Sequence, residues 1–183
     1  MKTPKQLLKW GNSTLLIHAI ETALNSHVKD VIVVLGANFE LIKKDIEQLP
    51  ITILNNKNWE LGLGKSLAFG VDYLIKSKPD TEACLVTLAD QPLIDATFIN
   101  DLIDVYKENK QTIMATSYND KKTGVPVIFD KTYFEELSLL NDDKGAKHIL
   151  EKYKSEVKTL KPELENVDLD LKADYDKLYK EMF

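Results

Sequence analysis

The run Val31-Ile32-Val33-Val34-Leu35 is apolar at five consecutive positions, four of them β-branched, and it stops at Gly36. A strand that is apolar on both sides must be covered on both sides, as in an α/β sheet rather than a hairpin with one solvated face. The rest of the chain repeats this alternation. Asn12 and Ser13, both cap-type residues, precede Leu15, Leu16, Ala19, Ile20, Ala23 and Leu24 at helical spacing, so a helix is expected over 13–27. Further helices are expected over 38–48, ending before Pro50, and over 65–75, 97–108, 131–140, 144–152 and 172–182. Strands are expected at 31–35, 51–54, 84–89, 112–116, 126–129, 157–160 and 167–169. Apolar strands alternating with amphipathic helices predict a three-layer α/β/α arrangement around a mostly parallel sheet. No linker, repeat or low-complexity tract divides the 183 residues, so one domain over 1–183 is expected.

Composition excludes several functions. The chain has 24 Lys+Arg against 29 Asp+Glu, a net charge of −5. Binding to nucleic acid or to an anionic membrane draws on a basic excess, so neither is an expected partner. A single cysteine, Cys84, forms no internal disulfide and heads an apolar strand, where it reads as a small core residue. No apolar run approaches a membrane span, and Met1 is followed by lysines rather than by an apolar signal region, so a cytoplasmic location is expected. The charge is unevenly placed. Residues 1–10 carry Lys2, Lys5 and Lys9 and no acid, while 162–176 carry Glu163, Glu165, Asp168, Asp170, Asp174 and Asp176 against Lys172. That asymmetry suggests one end suited to phosphate and another suited to a cation.

Ligands of such sheets bind beyond the carboxyl ends of the strands. Asn55 and Asn56, Asp90, and the pair Asp168 and Asp170 all fall at such ends. Asp90 stands out, because Leu85-Val86-Thr87-Leu88-Ala89 delivers it to the sheet rim and Gln91-Pro92 then turns the chain away. A carboxylate held by a rigid strand suits a hard cation, and Mg²⁺ is commonly held by one or two carboxylates plus substrate phosphates. Asp95, nearer the next helix, is the better cap for it. Gly64-Lys65-Ser66 invites a Walker A reading, but Trp59 stands where that loop requires its first glycine. Gly62 and Gly64 still open a helix whose amides suit an anion or a ribose, with Ser66 beside them. His18, His27 and His148 lack metal-ligand spacing and read as structural or surface residues.

The ordered set Pro4-Lys5-Gln6-Leu7-Leu8, Gly11-Asn12-Ser13-Thr14-Leu15-Leu16, Asn56-Lys57-Asn58-Trp59 through Gly62, Ser66-Leu67, Leu88-Ala89-Asp90-Gln91-Pro92-Leu93, Gly124-Val125-Pro126-Val127-Ile128-Phe129, Asp143-Lys144-Gly145-Ala146-Lys147 and Val167-Asp168-Leu169-Asp170 resembles the MobA-like nucleotidyltransferases. Within them it is most similar to the molybdenum cofactor cytidylyltransferases. The resemblance implies a Rossmann-like nucleotide-diphospho-sugar transferase fold. It implies transfer of a nucleoside monophosphate from CTP or GTP to the terminal phosphate of a pterin acceptor, molybdopterin or its molybdenum form, with release of pyrophosphate. It further implies Mg²⁺ on Asp90 with Asp170 or Asp168, and Lys5 neutralising phosphate charge in catalysis beside Asp90. Lys5, Gln6, Asn56, Gly62, Ser66 and Asp90 would contact the nucleotide, while Gln91, Gly124, Pro126, Asp143, Lys144 and Gly145 would shape the acceptor side. A molybdoenzyme is the implied downstream partner. Two alternatives stand beside this reading: a non-catalytic nucleotide- or pterin-binding maturation partner, and transfer onto a sugar phosphate or another small acceptor. Family members open with a strand and the loop Leu-Ala-Ala-Gly-x-Ser-x-Arg-Met-Gly ahead of Lys-Gln-Leu-Leu. Aligned there, Met1 falls on the motif's methionine and nothing in this sequence corresponds to the residues before it. The expectation is a sheet with an unfilled slot, in a sequence that lacks its natural beginning rather than in a degenerate enzyme.

Overall fold

The computed structural model describes residues 4–109, 112–119, 122–163, 169 and 171–183. In chain order the elements are β1 (Lys9–Trp10), β2 (Ser13–Thr14), α1 (Leu15–Leu24), β3 (Ile32–Leu35), α2 (Phe39–Ile46), β4 (Thr52–Asn55), α3 (Leu63–Ser77), β5 (Ala83–Val86), α4 (Ala96–Glu108), β6 (Ile113–Asn119), β7 (Lys122–Asp130), α5 (Phe134–Ser138), α6 (Ala146–Lys152), β8 (Val157–Leu160) and α7 (Lys172–Met182). Short 3₁₀ turns lie at Lys5–Leu7, Trp59–Leu61 and Lys131–Tyr133.

The protein is α/β with mixed strand directions. β3 and β4 pair in parallel, and β5-β7-β6-β8 forms a second sheet in which β6 and β8 are parallel. β7 runs antiparallel to both β5 and β6. The sheet is therefore less parallel than expected, and the reason is local. Only two residues separate β6 from β7, enough for a hairpin and far too few for the helical crossover that a parallel neighbour requires. Both strands are also longer than expected, because hairpin pairing extends the ladder beyond the apolar run. The expected strand at 167–169 falls largely outside the described residues.

Register explains the core. Cys84 faces Phe129, Phe129 faces Ile113, and Ile113 faces Val157, giving one row across four strands. That row packs with Ala68 and Val71 of α3, Leu137 of α5, and Ile149 and Leu150 of α6. One residue along, Leu85, Ile128 and Met114 form the next row, which packs on the other face against Ile99, Leu102 and Tyr106 of α4. Two adjacent rows feeding two cores follow from the two-residue period of a strand. A third cluster joins Leu16 and Ile20 of α1 to Leu35, Ile42 and Ile46. β3 and β5 each carry a ladder on one edge only among the described residues, and their apolar side chains stay half-buried apart from Leu35, whereas Ile113 to Thr116 and Pro126 to Asp130 are fully buried. No described helix is long and apolar enough to cross a membrane.

The first helix begins later than expected. Ser13 and Thr14 pair back onto Trp10 and Lys9, with Gly11 at φ 57° in the turn, and the Thr14 hydroxyl caps α1 by accepting from Ile17 N at 3.3 Å. Trp10 (4% exposed) packs with Leu15 and Leu169 and meets the rings of Tyr179 and Phe183 edge-on. The beginning and end of the described chain are thus sewn together, which strand and helix periodicity alone does not announce. The helix expected over 131–140 is shorter, a 3₁₀ turn followed by α5. Asp130 begins it by accepting Thr132 N at 2.9 Å while its other oxygen accepts the Tyr106 hydroxyl at 2.6 Å.

Cys84 packs into the first core although the residue as a whole is half-buried. Burial pushes its thiol from 9.0 up to about 12, a rise only partly offset by a backbone hydrogen bond from Phe129. The unfolded chain loses that proton first, so this group's contribution to stability is whole below pH 9.0 and falls as pH climbs towards 12. At pH 8 the folded protein is expected to react with a thiol-specific disulfide reagent at least about tenfold more slowly than the denatured chain. Equal rates would contradict the burial.

Candidate functional site

The site is built where β5 runs out. Thr87-Leu88-Ala89 carries the chain from Val86 to Asp90, whose backbone carbonyl accepts a hydrogen bond from Leu169 N at 3.1 Å. Asp95 takes the capping role, accepting Phe98 N at 2.8 Å, so the Asp90 carboxylate is spared that use. Asp90 Oδ2 accepts from Lys5 Nζ at 2.7 Å, with both side chains about three-quarters buried (exposures 23% and 25%). Asp90 Oδ1 is buried and has no hydrogen-bond partner among the described residues. Lys5, Gln6, Leu88, Ala89 and Asp90 line a cavity of about 120 Å³. A buried carboxylate oxygen without a partner is costly, and the usual remedy is a hydrogen-bond donor or a cation. The lysine-bearing start and the acidic end therefore meet at Asp90, through Lys5 on one side and Leu169 on the other.

The residues present fit a hard divalent cation. Asp90, which lines the small cavity, keeps one carboxylate oxygen without a hydrogen-bond partner among the described residues, and Mg²⁺ is ordinarily held by one or two carboxylates with substrate phosphates completing the shell. No cluster of three or more His, Cys, Asp or Glu occurs among the described residues. Asp168 and Asp170, the expected second carboxylates, lie outside the described residues.

The remaining site residues fall into two groups. Asn56 is buried (2% exposed), donates from Nδ2 to Ser66 Oγ at 3.1 Å and accepts Asn58 N at 3.0 Å. It ties the end of β4 to the start of α3. The opening of α3 is closed by protein: Gly64 N donates to the Asp142 carbonyl at 2.8 Å, so this amide is not on offer to an anion as expected. Gly62, at φ 102° and ψ 177°, touches the same loop, and a Cβ there would lie 2.2 Å from Asp143 Oδ1 and 2.7 Å from the Asp142 carbonyl oxygen. Gly145 is packed against Leu63. Asp143 and Lys144 are exposed, so 142–145 and 62–64 form one joined lip. Since that backbone conformation is nearly exclusive to glycine and costs about 1–3 kcal/mol otherwise, Gly62→Ala is expected to lower unfolding free energy by about 2 kcal/mol or more in a urea titration. An unchanged midpoint would show that the lip can shift without strain.

The second group surrounds the turn after Asp90. Gln91, buried, donates from Nε2 to the Tyr118 hydroxyl at 2.7 Å, and that hydroxyl donates to the Val125 carbonyl. Val125–Pro126 is a cis peptide, the Pro126 carbonyl accepts from Thr116 Oγ1 at 2.7 Å, and Gly124 lies under the Tyr118 ring. Gln91, Gly124 and Pro126 are thus brought together by Tyr118, a residue no motif singles out. His18 is structural as expected, with Nε2 donating to the Pro92 carbonyl at 3.0 Å.

Residues 1–157 match the model of the MobA-like NTP transferase domain. The chain belongs to this family of nucleotidyltransferases. It is 30% identical to nicotine blue oxidoreductase of Paenarthrobacter nicotinovorans over 152 residues, 80% of this chain and 72% of that protein. It is 31% identical over 123 residues to the bifunctional protein GlmU of Alkaliphilus oremlandii, covering 66% of this chain but only 26% of that protein. Among solved structures, Rv0371c of Mycobacterium tuberculosis superposes with a TM-score of 0.84 at 25% identity, over 98% of this chain and 90% of the other. A complex of Rv0371c with manganese superposes with a TM-score of 0.81 at 24% identity, over 97% and 91%. The MobA-like chain accordingly has the nucleotide-diphospho-sugar transferase fold, and its Lys5 and Asp90 stand on the elements that bring them together at the sheet rim.

Proposed function

We propose that this chain transfers a nucleoside monophosphate, CMP from CTP, to the terminal phosphate of a molybdopterin-type acceptor and releases pyrophosphate. The observation that carries this reading is the Lys5–Asp90 pair beyond the carboxyl end of β5, with Asp90 Oδ1 buried and without a hydrogen-bond partner among the described residues. A CTP complex of a synthetase with the same fold, and the manganese complex above, support nucleotide and divalent-cation chemistry of this class. In the transfer, an oxygen of the acceptor phosphate forms a bond to the α-phosphorus of the triphosphate. The bond from that phosphorus to the bridging oxygen breaks, and the electron pair leaves with pyrophosphate. Such displacement asks the protein for alignment and charge neutralisation, so no Ser-His nucleophile is required. Asp90, with Asp168 or Asp170, would hold Mg²⁺, which supplies charge neutralisation at the phosphates when bound. Lys5 sets a point charge against the same phosphates.

The contacts of the other residues support narrower roles for them in this reading. Asn56 donates to Ser66 and accepts from Asn58 N, so in this reading the pair would shape the nucleotide wall. Gly62, with Asp143, Lys144 and Gly145, would form one lip between nucleotide and acceptor, and Gln91, Gly124 and Pro126 would form the floor under the acceptor. The single cysteine and the lack of an apolar spanning helix among the described residues suit action in the cytoplasm. The test is pyrophosphate release from CTP and from GTP, with Mg²⁺ or Mn²⁺, across molybdopterin, sugar phosphates and no acceptor. Release that needs both CTP and the pterin is the expected result. Release with a sugar phosphate alone would redirect the acceptor assignment. No metal-dependent nucleotide binding, by titration calorimetry on a chain extended upstream through the Leu-Ala-Ala-Gly loop, would remove the transferase reading.

A further inference from the structure

The two oxygens of Asp90 stand in opposite conditions. Oδ2 carries the Lys5 ammonium at 2.7 Å, and Oδ1, though buried, has no hydrogen-bond partner among the described residues. An ammonium has three donors and no acceptor, so beside a carboxylate it acts as a monovalent counter-cation. A divalent ion that took Oδ1 would stand close to that ammonium on the same carboxylate, where partial burial weakens solvent screening and like charges repel strongly. Both cations cannot hold the group equally well.

We propose that Lys5 is the resident counter-cation of Asp90, and that a divalent cation entering at Oδ1 expels it, turning the ammonium towards the phosphates of the substrate. This rests on the reading of Asp90 as a metal ligand. The architecture suits such an exchange. Lys5 sits at the head of a single 3₁₀ turn whose backbone is tied by Leu7 N to Pro4 O at 3.0 Å and Leu8 N to Lys5 O at 3.1 Å. The turn stays in place while a flexible four-carbon stem moves the charge. The cavity of about 120 Å³ between Lys5, Gln6, Leu88, Ala89 and Asp90 adjoins the carboxylate and gives the ammonium a place to turn. Linkage follows: the phosphates of the substrate take up the ammonium, which relieves its competition at Asp90, so nucleotide and metal each favour the other's binding.

The test needs no turnover. Mn²⁺ binding is measured without nucleotide, from the electron paramagnetic resonance of the unbound ion, in the wild type, Lys5→Gln and Asp90→Asn, after each has shown a cooperative melt. Lys5→Met, which keeps most of the apolar stem, replaces Lys5→Gln if that variant does not fold. Removing the competing ammonium is expected to tighten Mn²⁺ binding about fivefold, the upper end for a partly exposed ion pair. Asp90→Asn is expected to lose the saturable site. If the Lys5 variant binds Mn²⁺ no more tightly than the wild type while Asp90→Asn abolishes binding, the exchange is overturned and the metal reading of Asp90 stands. If Asp90→Asn binds Mn²⁺ like the wild type, both are overturned.

Discussion

Asp90→Asn is expected to lose metal-dependent nucleotidyl transfer by about 100-fold or more, while its melting temperature changes by only a few degrees. The asparagine has the same shape and keeps one oxygen, but it removes the negative charge and turns an NH₂ group towards either the cavity or the Lys5 ammonium. A bound divalent ion supplies several kcal/mol of charge stabilisation in phosphoryl-type transfer, and each 1.36 kcal/mol is about a factor of ten in rate. The stability cost is small because a partly exposed ion pair contributes about 1 kcal/mol at most, which moves the melting point of a chain this long by about 2–4 °C. Pyrophosphate release and a thermal melt on the same preparation check both halves. Turnover within about threefold of the wild type would remove Asp90 from the chemistry.

Phe129→Ala is the substitution expected to destabilise the fold most, by about 3–5 kcal/mol. Phe129 is fully buried at the centre of the row Cys84, Phe129, Ile113 and Val157, and it packs in the core shared by α3, α5 and α6. Three strands and the helices above them meet at this ring, so the space it leaves cannot close without moving several elements at once. A marginal domain has about 5–15 kcal/mol in total, so the loss is a large share of its stability. Denaturant titration monitored by circular dichroism measures it, and a loss below about 1 kcal/mol would mean that the core collapses into the space.

The placing of Asp90 was legible because a strand pattern points at it. Five residues of apolar strand and linker before Asp90, and a better cap at Asp95, place a spare carboxylate at the sheet rim without any knowledge of tertiary contacts. Lys5 was legible only through resemblance, since nothing in its spacing from Asp90, 85 residues away, says that they meet. Gly62 and Gly64 show the opposite failing. Glycines at a helix start read as an anion site, but a loop about eighty residues on delivers the Asp142 carbonyl and the Asp143 carboxylate to the same place. Tyr118 was invisible because its role is to join Gln91 to the Val125 carbonyl, two segments that only sheet pairing brings together.

The sequence by itself determined the layered α/β class, most of the helices and strands, the core placement of Cys84 and the placing of Asp90, because each depends on the local period of apolar residues or on the ends of single elements. Tertiary structure alone decided that β7 reverses direction, that the two ends of the described chain close on Trp10, that the α3 opening is filled by 142–143, and that Lys5 occupies one oxygen of Asp90 while the other has no hydrogen-bond partner among the described residues. These depend on contacts between residues distant in the chain, whose energies enter only once loop closure has brought them together.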